Sequence, residues 1–193
     1  MFVKICGLTT LEDTLAAAGA GAQAVGFNFV QSSPRYLDPA ELSEWIGQVP
    51  AHIWKVGIFA DESAEQVASL CKRLNLDVAQ LHGDETTAEV PRGLRVWKAA
   101  RVKIGFVPPF FDSALTEAML LDGPAPGVPF DWSTIQANGR KLILAGGLNP
   151  ANVREAIELV RPWGVDVSSR IEVSPGRKDH RLMAQFIENA LSC

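Results

Sequence analysis

Residues 3–13 of the chain read VKICGLTTLED, and this stretch contains an apolar strand followed within a few residues by the start of a helix. The predicted strand ends on Cys6 and Gly7. When parallel strands are covered by helices, catalytic groups are often exposed at the carboxyl ends of the strands. A free cysteine is also among the side chains most often buried as an inert apolar group. Both interpretations of Cys6 are therefore open at this point.

The same strand-to-helix unit recurs along the whole chain, and its repetition indicates a parallel sheet with covering helices. Short apolar or β-branched runs predict strands at 2–7, 24–30, 53–60, 77–83, 94–100, 118–123, 141–147 and 164–169. Helix-period segments predict helices at 10–19, 39–47, 63–74, 86–91, 113–117, 133–137, 150–160 and 179–191. Asp38-Pro39 and Asn149-Pro150 each place a capping side chain before a proline suited to the first helical position.

Eight such units predict the α/β fold class and a (βα)8 TIM barrel formed by residues 1–193 as a single domain. The chain is shorter than the roughly 250 residues typical of this fold. We therefore expect a small barrel with short fifth and sixth helices.

The composition, with 47% hydrophobic and 21% charged residues, is that of an ordinary globular protein. A net charge of -4 argues against binding to nucleic acid or to an anionic membrane. No secretory leader is recognisable and no apolar run approaches the roughly 20 residues that span a bilayer, so we expect a cytoplasmic protein. The basic segment from Arg92 to Lys103, which includes Arg95, Lys98 and Arg101, is interpreted as a solvated face.

The three cysteines, Cys6, Cys71 and Cys193, form neither an even disulfide set nor a close-spaced metal motif. This pattern fits a reducing compartment and predicts no bound metal. We assign no role to Cys71 or Cys193.

Polar side chains recur at the carboxyl ends of the predicted strands, where a barrel assembles its active site. Residues two apart share a face of a strand, although the spacing does not show which face points inward. The candidates are Lys4 with Cys6, Gln80 with His82, Asp122, and Asp166 with Ser168.

Each of these residues also has a structural interpretation. Asp122 is either a catalytic acid or base or a cap for the loop that follows it. His82 is either a hydrogen-bonded structural residue or a general base, and we expect it, with Gln80, to be a substrate contact only. Asp166 either contacts substrate or holds a buried Lys4, since a buried lysine needs a polar partner.

The loops after the seventh and eighth strands resemble the phosphate sites of other barrels. Gly146 and Gly147 allow a close backbone approach to an anion, and Ser168-Ser169 lie one unit later. Arg35, after the second strand, has a planar guanidinium suited to a carboxylate, or else is a surface residue beside a proline turn.

Together these segments resemble the phosphoribosylanthranilate isomerase family over nearly the whole chain. The matching motifs, in order, are KICGLT, SPRY, VGIF, QLHG, LLD, FDW, AGGLNPANV, VDVSS and PGRKD. The resemblance implies a cofactor-free barrel enzyme of tryptophan biosynthesis, acting at the third step after chorismate. Its reaction is the Amadori rearrangement of N-(5-phosphoribosyl)anthranilate to 1-(2-carboxyphenylamino)-1-deoxyribulose 5-phosphate. It also implies Cys6 as general base, Asp122 as general acid and Arg35 as the contact of the anthranilate carboxylate.

The residues agree with that chemistry, because ring opening needs a proton donor and the shift of the double bond needs a base. We expect Lys4 to lower the pKa of Cys6, burial to keep Asp122 protonated, and the phosphate to bind at Gly146, Gly147, Ser168 and Ser169. The expected partner is a small phosphosugar, with the protein either a monomer or a homodimer.

Two departures from the family lie at the substrate rim. Arg170 stands where relatives usually have glycine, so it could narrow the site, strain the backbone or add a cation beside the phosphate. The segment after Asp122 is short and contains Pro124, Pro126 and Pro129, which predicts a reduced lid and a higher Michaelis constant. Two alternatives remain: a phosphosugar-binding barrel that has lost efficient catalysis, and a related isomerase that uses paired aspartates.

Overall fold

The computed structural model of the protein describes residues 1–102, 114–124, 131–135 and 139–193. Eight parallel strands form a closed barrel in chain order, which confirms the predicted architecture. They are β1 (Phe2–Cys6), β2 (Ala24–Asn28), β3 (Trp54–Phe59), β4 (Val78–Leu81), β5 (Val96–Arg101), β6 (Ala118–Asp122), β7 (Leu142–Leu144) and β8 (Gly164–Val167). Closure comes from the pairing of β1 with β8, in which Lys4 lies opposite Asp166.

The helices pack on the outside of the barrel. They are α1 (Leu11–Gly19), α2 (Pro39–Trp45), α3 (Ala64–Leu74), α4 (Val153–Val160) and α5 (His180–Leu191). A short antiparallel ribbon, β9 (Glu172–Ser174) and β10 (Arg177–Lys178), follows β8. Single 3-10 turns lie at Ile46–Gln48, Thr87–Glu89, Trp132–Thr134 and Ser169–Ile171.

All eight predicted strands are present, but most of them end earlier than predicted. The predicted seventh strand, for example, includes Gly146 and Gly147, which have φ angles of 77° and 73° and so leave the extended conformation. The residues that end a strand in this barrel curve away from the sheet to form the rim of the cavity. The apolar run in the sequence continues past the last hydrogen-bonded residue of the strand. It therefore predicts the carboxyl ends of the strands poorly.

Three of the predicted helices differ from the structure. The predicted helix at 86–91 is the single 3-10 turn Thr87–Glu89, and the described residues 114–117 of the fifth helix are not helical. The sixth is the 3-10 turn Trp132–Thr134, whereas Ser113 and residues 136–137 of these two predictions lie outside the described residues.

Asp38 caps α2 as predicted, with its carboxylate accepting from Ala40 N at 2.7 Å and Pro39 at the first position. The same signal at Asn149-Pro150 misplaces the start of α4, which begins three residues later at Val153. The backbone N–H of Asn149 donates to Asn152 Oδ1, and the backbone N–H of Asn152 donates to Asn149 Oδ1, which closes a turn before the helix.

The barrel interior holds its own apolar layer, distinct from the core between strands and helices. It includes Ala24, Val56, Val78, Trp97, Leu120, Ile143 and Ala145. Towards the amino ends of the strands, four rings contact one another: Phe2, Trp54, Trp97 and Trp163. We call these four side chains the aromatic floor, since they close the amino-terminal end of the interior. Glu117 pairs at this end with Arg95 and Lys141, which lie over the rings of Trp54 and Trp163.

A buried carboxylate connects the loops that follow β3 and β4. Glu85 accepts from the backbone N–H groups of Asp61 at 2.9 Å and Gly83 at 3.1 Å. Lys98 Nζ lies 2.7 Å from Glu85 and also donates to the carbonyl of Gly83 at 2.5 Å. The arrangement fixes the backbone directly after His82, which belongs to the rim.

We expect Lys98→Met to lower the free energy of unfolding by about 3–5 kcal/mol, because the Glu85 carboxylate would be left buried without a counter-charge. Urea unfolding measures the change. Lys141→Met is the matched control: this lysine is 45% exposed in its pair with Glu117, so its loss should cost at most about 1 kcal/mol. Equal losses in the two variants would contradict the assignment.

Candidate active site

A cavity of about 390 Å³ opens at the carboxyl ends of the strands. Every strand, or the loop after it, contributes to the wall. Nine of the ten predicted site residues line it: Cys6, Arg35, His82, Asp122, Gly146, Gly147, Asp166, Ser168 and Ser169. The strand faces that carry Cys6, Asp122 and Asp166 therefore point inward, and Cys6 and Asp122 share one cavity.

Gln80 does not line the cavity, contrary to the prediction. It is 0% exposed in the barrel interior, and neither its amide oxygen nor its nitrogen has a hydrogen-bond partner among the described residues. The spacing of residues along β4 identifies the face that points inward, but not how deep each side chain lies in the barrel. Two residues of strand span about 6.6 Å, so Gln80 and His82 lie at different depths. His82 reaches the cavity wall and Gln80 lies below it.

The interpretation of Asp166 as the partner of a buried lysine is confirmed. Lys4 is 0% exposed, and its Nζ donates to Asp166 Oδ1 at 2.8 Å. Burial lowers the pKa of Lys4, but the charge of Asp166, together with that of Cys6 when Cys6 is ionised, outweighs burial, and the net pKa is raised. The barrel therefore holds a buried lysine–aspartate ion pair just below the cavity.

Cys6 is partly exposed at the cavity wall. Gly26, on the neighbouring strand, makes room for it: a Cβ on Gly26 would lie 3.0 Å from Cys6 Sγ and 3.2 Å from Lys4 Cε. The expectation that Lys4 brings the thiol below its ordinary pKa is wrong for this structure. Burial raises the pKa of Cys6, the Asp166 charge adds to the effect, and Lys4 offsets only part of it.

Asp122 ends β6, and its carboxylate accepts a hydrogen bond from Gly123 N at 2.8 Å. The loop-capping interpretation is thus correct, yet the carboxyl group also lines the cavity. Burial raises the pKa of Asp122 above its ordinary value, and the negative charge of Asp166 acts in the same direction. The environment favours the protonated carboxyl group.

His82 presents a neutral imidazole to the cavity. Burial, reinforced by the positive charges of Lys4, Lys98 and Arg101, lowers its pKa to about 3. A neutral ring can donate one hydrogen bond and accept another. This suits a contact to a hydroxyl group better than general base catalysis.

The glycine pair after β7 lies at one end of the cavity. Gly146 could not carry a side chain, because a Cβ there would overlap the backbone of Gly123. Asn152 Nδ2 donates to the carbonyl of Gly147 at 3.1 Å and holds this loop. Ser168 and Ser169, which follow the neighbouring strand β8, border the cavity together with Arg170.

Arg170 lies in the 3-10 turn Ser169–Ile171, and its φ is not positive. The backbone strain considered for a residue at a glycine position is therefore absent here. The side chain adds a cation to the same wall as Ser168 and Ser169. Of the shortened segment after Asp122, residues 125–130 lie outside the described residues.

Arg35 comes from the loop after β2, where Ser33 Oγ accepts from its backbone N–H at 3.1 Å. Its side chain passes over Gly7, whose φ is 70° and on which a Cβ would lie 2.5 Å from Arg35 Cδ. The guanidinium is bound to Glu172, with 2.7 Å between Nη2 and Oε2. Gly7 thus supplies both the turn after β1 and the space for this arginine.

Among the polar residues of the cavity wall, sequence reasoning did not single out Arg101 and Asn28. The interpretation of the basic segment as a solvated face is wrong for the buried Lys98, whereas Arg101 is exposed and also lines the cavity. Arg101 shares the inward face of β5 with Trp97 and Ala99, so an alternating pattern could have found it. Asn28 binds Val30 N and Ser33 within its own loop, and its residue type carries no signal of that role.

The amino-acid sequence matches the family model described as N-(5'-phosphoribosyl)anthranilate (PRA) isomerase over residues 3–189. The chain belongs to this family. It is therefore an isomerase of tryptophan biosynthesis.

A curated PRA isomerase from Solibacter usitatus is 45% identical, with 98% of this chain and 97% of the relative aligned. A solved structure of monomers made from the dimeric PRA isomerase of Thermotoga maritima is 37% identical, with a TM-score of 0.87 and full coverage of both chains. A PRA isomerase in complex with reduced 1-(o-carboxyphenylamino)-1-deoxyribulose 5-phosphate is also 37% identical, with a TM-score of 0.86 and full coverage of both chains.

Among residues 1–102, 114–124, 131–135 and 139–193, no group of three His, Cys, Asp or Glu side chains could share a metal ion. Within the same residues, no helix is long and apolar enough to cross a membrane.

We expect alkylation of Cys6 to require more alkaline pH than alkylation of a free thiol, whose pKa is about 8.5. Only the thiolate reacts, and the raised pKa of Cys6 means that the thiolate forms at higher pH. The Cys71→Ala/Cys193→Ala variant leaves Cys6 as the single cysteine for rate measurements with iodoacetamide. A pH midpoint at or below that of N-acetylcysteine under the same conditions would refute this expectation.

Proposed function

We propose that the protein converts N-(5-phosphoribosyl)anthranilate into 1-(2-carboxyphenylamino)-1-deoxyribulose 5-phosphate, with Asp122 as general acid and Cys6 as general base. This is the third step after chorismate in the pathway. The observation that carries the proposal is that a buried carboxyl group and a thiol line one cavity, whose rim also holds an arginine and a glycine pair suited to anions.

The first step is ring opening. Asp122 gives its proton to the ring oxygen of the ribose, the C1–O bond breaks, and the anilino nitrogen forms a double bond to C1. The environment of Asp122 supports this role, because burial raises the pKa of the carboxyl group and so favours its protonated form.

In the second step Cys6 removes the proton from C2, and the electron pair forms the C1–C2 double bond while the C1–N pair returns to nitrogen. The resulting enol then gives the ketone by proton transfer from oxygen to C1. Cys6 has to be a thiolate for this step, and Lys4 is the first group among those that lower its pKa. The raised pKa of the free thiol means that only a small fraction of the ligand-free enzyme carries this base at neutral pH.

Binding groups at the rim would align the substrate between these two residues. We assign the phosphate to Gly146, Gly147, Ser168 and Ser169, where the glycines permit close backbone approach. We assign the anthranilate carboxylate to Arg35. Contacts to both remote ends hold the reacting carbons in place, which lowers the entropic part of the barrier.

Other contacts follow from the same cavity. His82 and Asp166 both line it, so we assign them to the ribose hydroxyl groups. Arg170 extends the phosphate end with a further cation. Gln80, which lies below the cavity, is not part of this assignment.

We also retain the remaining sequence predictions as part of the proposal. Residues 1–193 form one barrel domain, for which the pairing of β1 with β8 is the support. The partner is a small phosphosugar and not nucleic acid, and the three free cysteines favour the cytoplasm. The protein is a monomer or a homodimer, as the related T. maritima chain occurs in both forms.

We expect Cys6→Ala and Asp122→Asn each to lower kcat by about 10²–10⁴-fold, because each removes one proton-transfer group. Anthranilate fluorescence after mixing with freshly made phosphoribosylanthranilate follows the reaction. Cys193→Ala and Asp38→Asn are the matched controls, since Cys193 is exposed and Asn caps a helix as well as Asp38 does.

Near wild-type turnover in either Cys6→Ala or Asp122→Asn would contradict the assigned roles. A wild-type protein that binds the reduced product but does not turn over substrate would instead indicate a phosphosugar-binding barrel.

We expect His82→Gln to leave the acidic and alkaline limbs of the pH profile of kcat/KM in place. The maximum of kcat/KM should fall by less than about tenfold, which is the effect of one altered neutral hydrogen bond. A pKa of about 3 keeps His82 neutral at all pH values where the enzyme is assayed, so its ionisation cannot produce either limb. Steady-state rates from acid to alkaline pH measure the profile. Loss of one limb in the variant would show that His82 titrates in catalysis.

A further inference from the structure

The guanidinium of Arg35 is already bound to a carboxylate of the protein. Nε donates to the two oxygens of Glu172 at 2.9 and 3.2 Å, and Nη2 donates to Oε2 at 2.7 Å. These bonds use the Nε/Nη2 edge of the fork. The Nη1 hydrogens and the second Nη2 hydrogen have no acceptor among the described residues, and Arg35 lines the cavity.

Glu172 is not an ordinary surface partner. Its side chain is only 4% exposed, and the second cation it contacts, Lys178, is fully buried with 2.7 Å between Nζ and Oε1. Burial raises the pKa of Glu172, but the hydrogen bond from Arg35 and the charge of Lys178 outweigh this effect and lower it. Glu172 is therefore an ionised carboxylate between two cations.

The ribbon of β9 and β10 places these groups. Glu172 begins β9, Lys178 ends β10, and the two residues are opposite one another in the ribbon. Lys178 N donates to the buried Asp13 of α1 at 2.9 Å, which anchors the ribbon to the barrel. Lys178 Nζ also donates to the carbonyl of Ser168 at 3.2 Å. Glu172 thus connects Arg35 with the serine loop after β8, and both of these lie beside Gly7.

We propose that Glu172 is a positioning residue: it holds the Nε/Nη2 edge of Arg35 so that the remaining edge receives the aromatic carboxylate of the substrate. The inference rests on the proposed function, because it concerns the ligand assigned to Arg35. It adds a residue that acts through Arg35 and does not itself contact substrate.

An alternative is that Glu172 competes with the substrate for Arg35. The geometry favours positioning, because a guanidinium has five N–H donors and can bind two carboxylates on separate edges. Displacement would also strip buried Glu172 of three hydrogen bonds. The Nη1 side of Arg35 stays available at the cavity while Glu172 holds the other edge.

Two ligands isolate the contribution of the substrate carboxylate to binding. They are reduced 1-(o-carboxyphenylamino)-1-deoxyribulose 5-phosphate and the corresponding reduced phenylamino compound without the carboxyl group. Calorimetry gives the Kd of each, and their ratio is the preference for the carboxylate. We expect Glu172→Gln to lower this ratio by about tenfold or more, through weaker binding of the carboxylated compound. The Kd of the compound without the carboxyl group should change little.

Further variants separate positioning from folding. Glu172→Asp keeps the charge and should recover part of the ratio. In an Arg35→Met background, Glu172→Gln should not change the ratio further. Glu117→Gln is the matched control, because Glu117 also bridges two cations, Arg95 and Lys141, but at the amino-terminal end of the barrel. It should leave the ratio at the wild-type value.

An unchanged ratio in both folded Glu172 variants would overturn the proposal, and so would tighter binding of the carboxylated compound, which competition predicts. In turnover assays, Glu172→Gln should raise KM more than it lowers kcat. The binding ratio does not depend on turnover, so a wild-type enzyme without isomerase activity would refute the proposed reaction while the ratio still tests Glu172.

Discussion

The ion pair between Lys4 and Asp166 is the interaction on which the site depends. It joins the first and eighth strands at the point where the barrel closes, and it places an ammonium group in the interior. That charge offsets part of the effect of burial on Cys6 and adds to the effect of burial on His82. The same pair therefore contributes to closure of the fold and to the protonation states of the cavity.

The cavity wall consists mainly of residues at and just after the carboxyl ends of the strands. Gly7, Gly146 and Gly147 turn the backbone out of the extended conformation, and the side chains of neighbouring loops occupy the space this creates. Two buried carboxylates, Glu85 and Glu172, then connect those loops to one another. The rim is held by charges inside the protein as well as by the sheet.

Much of this could be predicted from the sequence, since eight alternating segments and their polar ends follow from local patterns. Nine of the ten predicted site residues line the cavity. The errors arise where a local pattern carries no information about depth or distant charge. Gln80 has the correct face but lies too deep, and the pKa of Cys6 depends on burial and on Asp166, which is far away in sequence. The partnership of Arg35 with Glu172 spans 137 positions and has no local signature.

The aromatic floor determines how molecules pass through this barrel. Phe2, Trp54, Trp97 and Trp163 fill the opposite end of the interior, so among the described residues the opening lies at the carboxyl ends of the strands. Any molecule that enters the cavity leaves through the same mouth, so a reaction product must depart before new substrate can enter. Accumulated product therefore competes with substrate for the same opening. An enzyme that consumes the product removes this inhibition.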